Sequence, residues 1–288
     1  RTRNLFVGPG NHNARLDIIE EVIKRYSHLL HGLRQNDSIR RNTDRQNWPS
    51  AVRLLSPGVQ MCLQRLETEH NIISSGLVDF LWMTRLFVSS YLSNKLCINI
   101  RIRNMGTVCM HLWLWRAYCL KRGNNRSIKN FITNEAYTDV IMACHTFVLV
   151  CKIAREFSPN HHLPFHKFGS DCVEKLWGRM STCVKRVRVI DIYDGINIIR
   201  NLSHPLMVEA AGIVNLERKS TNEVEWVEDN PNAPTPSLTG SVIPSDSVIA
   251  DLWHTGQEIG RDRIRARGVQ LSRDVWRAPW KLDKRFKN

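Results

Sequence analysis

Residues 136–157 read AYTDVIMACHTFVLVCKIAREF. Val140, Ile141, Ala143, Phe147, Val148, Leu149 and Val150 follow one another with no glycine, no proline and no strict alternation. That pattern predicts a helix, and a helix apolar almost all round belongs at the centre of a protein. The apolar stretch itself, 140–154, holds His145 and Lys152 and reads as too short and too polar to span a bilayer. Just upstream, Thr133 or Asn134 is the expected N-cap.

Working outward, helical spacing recurs on both sides. Leu16, Ile19, Val22, Ile23, Tyr26, Leu29, Leu30 and Leu33 predict a helix over 16–33. Trp48-Pro49-Ser50 opens a second one, with Val52, Leu55, Val59, Cys62, Leu63 and Leu66, which Pro57 breaks or kinks. A densely apolar helix is expected over 70–96 and another over 108–121. Past a Pro/His-rich loop at 158–168, helices are expected over 171–186 and 191–202. Only 187–190 and 212–214 hint at strands. Residues 220–247 carry Pro231, Pro234, Pro236 and Pro244 among asparagines and acids, the composition of a linker. An amphipathic helix follows over about 246–267, led by Val248, Ile249, Leu252 and Trp253. The fold class expected is mainly α.

The 288 residues allow one large domain or two medium ones, and 42% apolar content suffices for a core. A formal charge of +14 favours a polyanionic partner, nucleic acid before an anionic membrane, over mere solubility. Eight cysteines, with no C-x-x-C pair, lie mostly in apolar stretches and read as reduced, buried thiols of an intracellular protein. Basic residues cluster at 34–45, at 101–103, and at Arg179, Lys185, Arg186 and Arg188. The last 28 residues hold ten Lys or Arg against three Asp, half of the whole-chain excess. There Arg273, Arg277, Lys281, Lys284 and Arg285 interleave with Trp276, Trp280 and Phe286, as in a phosphate-contacting tail; a solvated C-terminus has the same composition.

Chemistry is suggested most by Phe168-Gly169-Ser170-Asp171-Cys172-Val173-Glu174-Lys175-Leu176-Trp177-Gly178-Arg179-Met180, a loop running into a helix with two carboxylates three residues apart. On spacing alone, Asp171 as N-cap and Glu174 at the third helical position make an acidic capping box. The alternative is a hard-cation site, since Mg²⁺ takes one or two carboxylates plus phosphate oxygens and water. His161, His162, His166 and Cys172 match no familiar zinc spacing, and Cys144-His145 reads as a core pair. There is no Walker A loop, G-x-G-x-x-G, G-x-S-x-G or H-E-x-x-H, so no small-molecule cofactor is expected.

Asp171-Cys172-Val173-Glu174-Lys175-Leu176-Trp177 resembles the D-x-x-E-x-x-F segment of P-element-like DDE transposases, with Trp177 at the family's aromatic position. Three further stretches resemble that family in the same order. They are Arg45-Gln46-Asn47-Trp48, then Asn130 to His145, then Ile249-Ala250-Asp251-Leu252-Trp253-His254-Thr255-Gly256. The resemblance implies an RNase H-like core interrupted by a long helical insertion. Residues 1–168 would be the insertion-like domain and 169–219 the end of the core. Residues 220–247 would be the linker, and 248–288 the C-terminal helix and basic tail. Glu174 would be the third catalytic acid and, with Asp171, would hold Mg²⁺ or Mn²⁺ for phosphodiester hydrolysis and strand transfer. The partner implied is DNA, in the nucleus, with no membrane and with room for a homo-oligomer. No strand-borne aspartates precede the insertion-like region, so this chain alone is expected not to cleave DNA, the other acids lying upstream of Arg1. The competing expectation is a non-catalytic helical module that binds DNA or protein.

Overall fold

The structure, a computed structural model, describes residues 5–6, 13–15, 17–37, 48–93, 95–122, 131–157 and 243–277. Strand β1 (Leu5–Phe6) pairs antiparallel with β2 (Asn13–Ala14), Leu5 opposite Ala14. The remaining regular structure among the described residues is helical, in agreement with a mainly α reading. The stretches 169–219 and 220–242 lie outside the described residues, as do the weak strand candidates at 187–190 and 212–214.

Capping chemistry sets the helix ends. Helix α1 (Asp17–Arg25) has Asp17 and Glu20 in its first turn and Lys24 and Arg25 in its last, complementing its dipole. The single helix expected over 16–33 is in fact two. Ser27 is extended and accepts a bond from the Leu29 amide, starting α2 (His28–His31), and Gly32 closes it at φ 65°. Helix α3 (Trp48–Leu54) likewise stops before Pro57, and Ser56 caps α4 (Pro57–His70) with the proline in its first turn, where the missing N–H costs nothing. Asn71 at φ 53° ends α4, so the helix expected from residue 70 begins later, as α5 (Ser75–Leu92). Helix α6 (Ile98–Arg122) starts ten residues before the expected 108. The Thr133 hydroxyl accepts from the Ala136 amide at 3.1 Å and caps α7 (Asn134–Phe157).

Helix α8 (Asp246–Ala266) and the short α9 (Arg273–Arg277) complete the described chain. All described residues belong to one compact unit, so α8 shares a core with helices encoded far upstream. Its start is pinned to the end of α7. Arg155 donates to the Pro244 carbonyl at 3.0 Å, and Arg155 and Lys152 pair with Asp246 at 2.9 and 3.7 Å.

The central helix is α6, not α7. Fifteen of the 25 residues of α6 are buried, whereas α7 buries one face, Ile141, Cys144, Phe147, Val148 and Cys151, and leaves Met142 58% exposed. By length and composition, 134–156 is long and apolar enough to cross a bilayer, a longer run than the 140–154 read from sequence. The sequence misled about centrality because α6 carries arginines. One of those arginines, Arg101, bonds the backbone where a neighbouring helix ends. Buried Arg101 donates to the carbonyls of Ser90 (2.6 Å), Ser93 and Leu96 (2.8 Å), closing α5. Buried Arg85 on α5 donates in the same way to the Leu55 carbonyl, just past α3. Part of the basic excess, including Arg101 of the 101–103 cluster, is thus bonded inside the protein. Asp37, 1% exposed, plays the converse part. It accepts from Arg53 (2.6 and 2.8 Å), from Ser50 and from the Arg34 amide (2.9 Å), fixing the turn Gln35–Asp37 to α3. Burial pushes this carboxyl up, but the bonds outweigh it and hold it at about 2.

Glycines decide how α6 meets α8. A Cβ on Gly256 would lie 2.0 Å from the Arg103 carbonyl oxygen, one on Gly106 2.4 Å from that of Trp253, and one on Gly260 2.6 Å from that of Thr107. Each clash is with helix backbone, which has no rotamer to give. A Gly256→Ala substitution is therefore expected to destabilise the protein. Overpacking costs about 1–3 kcal/mol and exceeds the roughly 1 kcal/mol of helix propensity that alanine brings. Thermal unfolding followed by circular dichroism checks this; a melting temperature equal to or above wild type would refute the close approach.

Candidate nucleic-acid interface

An amphipathic helix usually has one task, but α8 presents three faces. Its inner face buries Ile249, Trp253, Gly256, Gln257, Gly260 and Ile264 against α6 and α7. The Trp253 ring packs beside His145 of α7, 5.3 Å between centroids. That places His145 in the core, as read from sequence, while its neighbour Cys144 and Cys109 of α6 are both buried there. The six described cysteines are all free.

A second face ties α8 to α5 through a buried carboxylate. Asp79 is fully buried and accepts from Arg263 Nε at 2.7 Å and from two nitrogens of Arg267, one at 2.9 Å. The Arg263 guanidinium also lies 4.9 Å from the centre of the Trp82 ring. The bonds to Asp79 raise the Arg267 pKa, burial working against them. A carboxylate in this position is stable only while it keeps its partners. Removing one side of a buried pair typically costs about 3–5 kcal/mol. His111 of α6 packs on Trp82 (5.8 Å between centroids), and neither ring nitrogen has a hydrogen-bond partner among the described residues. Burial lowers its pKa to about 4; Asp79 pulls it up, and Arg263 and Arg267 push it down.

The third face runs from the exposed His254 and Arg265 to the buried Arg261. His254, Glu258, Arg261 and Arg265 recur at helical spacing along one stripe of α8. At its end Gly268 adopts φ 70° and its amide bonds the Arg265 carbonyl at 2.8 Å, ending the helix. The chain beyond is held beside α6 and α8. Lys121 Nζ donates to the Gln270 carbonyl at 3.1 Å, and the Arg265 guanidinium lies 5.1 Å from the centre of the Trp276 ring. Between stripe and returning chain is a groove of about 650 Å³, lined by His254, Gln257, Glu258, Arg261, Arg265, Leu271, Arg273 and Trp276. Three of those residues are arginines and one is a carboxylate. Hydrogen bonding to Arg261 holds the Glu258 pKa down, with smaller help from His254 and Arg265 against the opposing effect of burial. Glu258 therefore stays ionised and spends itself on Arg261, leaving a positive excess from Arg265 and Arg273. Arg265 is also paired with exposed Asp262 at 3.2 Å, a surface contact worth little and easily exchanged for phosphate.

Of the residues singled out in the sequence, Arg273 begins α9 and lines this groove, and Arg277 ends the same helix. Asp171, Glu174, Arg179, Lys185, Arg186, Arg188, Lys281, Lys284 and Arg285 lie outside the described residues, as do His161, His162, His166 and Cys172. Among the described residues no group of three or more His, Cys, Asp or Glu could hold a metal ion. The sequence reading counted Arg261 and Arg265 only within the basic tail and gave His254 and Glu258 no role, although their spacing of four, three and four residues on an amphipathic helix was there to be found. No family model matches this chain, and neither a curated protein nor a solved structure does.

The support beneath the groove has a pH signature. With a native His111 pKa of about 4 and an unfolded value near 6.5, the unfolded chain binds the extra proton between those limits. Stability is then full above about pH 6.5 and falls by about 3 kcal/mol as pH drops to about 4. Asp37 contributes only lower, between about pH 4 and 2, because its native pKa is about 2. Urea unfolding at pH 7 and pH 5, compared between wild type and the His111→Phe variant, isolates this histidine from the others. His111→Phe should flatten the difference, and an unchanged slope in that variant would rule out a buried neutral imidazole.

Proposed function

We propose that this chain is a DNA-binding helical module of a transposase-like protein, and that the groove on α8 is where it grips phosphate. The observation that carries the reading is the convergence of Arg261, Arg265, Arg273 and Trp276 in one concave surface. Guanidinium groups match phosphate oxygens with two parallel donors, and their release of condensed counterions drives association. The formal charge of +14 adds a long-range attraction that brings a polyanion to the surface. The link to transposases rests on the ordered motif resemblance. Hydrolysis and strand transfer would fall to Glu174, with Asp171 and Mg²⁺ or Mn²⁺, and that part of the proposal rests on the resemblance alone. Binding through arginines needs no divalent ion, so binding without added Mg²⁺ is expected whether or not catalysis accompanies it.

Fluorescence anisotropy of labelled DNA with the full chain tests the proposal. Affinity should fall steeply between about 50 and 200 mM salt. The double variant Arg265→Glu/Arg273→Glu should bind at least about tenfold more weakly, with the slope of log affinity against log salt reduced by about 2. Wild-type affinity and slope in that variant, with its fold intact, would remove the groove from DNA binding.

A further inference from the structure

Resting on that reading, we propose that the groove is built for a single strand rather than a duplex: one unstacked base lies against Trp276 while Arg265 and Arg273 hold phosphates on either side of it. The shape of the site argues for this. A duplex is met by a convex element that enters its major groove or by a broad basic face along its backbone. Here the positive groups line a concavity, and its volume of about 650 Å³ is in the range of about 300–1,000 Å³ that encloses small ligands. The paired bases of a duplex keep their faces stacked on one another, so an aromatic ring at the back of a groove has nothing to engage. A base freed from the stack offers such a face, and aromatic stacking is how single strands are held without regard to sequence.

The charge balance selects two phosphates rather than three, because Arg261 is engaged by Glu258 at the floor of the groove. Trp276 is held for its task. It packs against the hydrophobic core, the Arg265 guanidinium lies over its ring, and the residue lines the groove.

The test compares a fluorescein-labelled mixed-sequence single strand with the matching hairpin duplex, using the full chain. Wild type should prefer the single strand. Trp276→Leu keeps an apolar group against the core while removing the ring. It should weaken single-strand binding about tenfold or more and duplex binding by less than about twofold. Trp276→Phe retains a stacking ring and should keep most of the single-strand affinity, so misfolding cannot imitate the result. Equal losses on both substrates, or a preference for duplex, would overturn the single-strand assignment. The Arg265→Glu/Arg273→Glu variant separates the two ideas. If it weakens binding to both substrates while Trp276→Leu shows no selectivity, the groove binds DNA but not as proposed here. If it weakens neither, both readings fall.

Discussion

Everything described in this protein depends on two helices meeting backbone to backbone. Gly106 on α6 and Gly256 and Gly260 on α8 remove the side chains that would hold the axes apart. Glycine inside a helix costs about 0.5–1 kcal/mol relative to alanine, so three of them represent a sacrifice of helix stability. The return is close contact along the shared length. Ile102, Met105, Val108 and Leu112 of α6, together with Ile249, Trp253 and Ile264 of α8, are all nearly or fully buried. Small residues serve membrane helices in the same way, letting dispersion act at short range over many atoms. The contact also resolves a problem of chain order. Residue 246 is far from residue 122 in sequence, and a contact of that separation forms only if its favourable free energy exceeds the entropic cost of closing a long loop.

The interior holds buried charged residues, and three of them, Arg85, Arg101 and Asp79, hold helix ends and faces. Arg85 and Arg101 donate to carbonyls left over where helices stop. Asp79 binds Arg263 of α8 and Arg267 just past its end, and so fixes the rotation of that helix, not just its distance from α6. Apolar packing alone would tolerate a small roll of α8 about its axis. A fully buried carboxylate that must keep both guanidinium groups does not, because any roll that breaks a bond leaves charge stranded in low dielectric. His111, neutral and packed on Trp82, adds bulk at the same place without adding charge.

Much of the helical content was legible in the sequence, because apolar periodicity survives in α1, α4, α5, α7 and α8. Boundaries were legible where a residue forces the backbone, as Pro57 does, and missed where a side-chain oxygen or a left-handed residue acts, as with Ser27 and Asn71. The centre of the fold was misplaced for a specific reason. Hydropathy ranks α7 above α6, yet buried Arg101 of α6 is satisfied internally, and satisfaction cannot be seen in a one-dimensional pattern. The groove was half legible. Arg273 and Trp276 stood out in a basic, aromatic tail, but their partners lie on a helix whose polar stripe looks like any solvated face until the chain after Gly268 is found beside it.

The same helix thus supplies both the seam of the core and one wall of the groove, and this has a mechanical consequence. Arg261 is the hinge of the arrangement: it is 9% exposed, bonded to Glu258, and next to Gly260, where α8 touches α6. A side chain rooted that deeply loses little further entropy when a ligand arrives, and neither does Arg265 stacked on Trp276. Long exposed arginines elsewhere on the surface would each have to be immobilised at the moment of contact. The groove is therefore set in place by folding itself, and the glycine contact that makes α8 part of the core is also what makes its outer stripe a rigid surface.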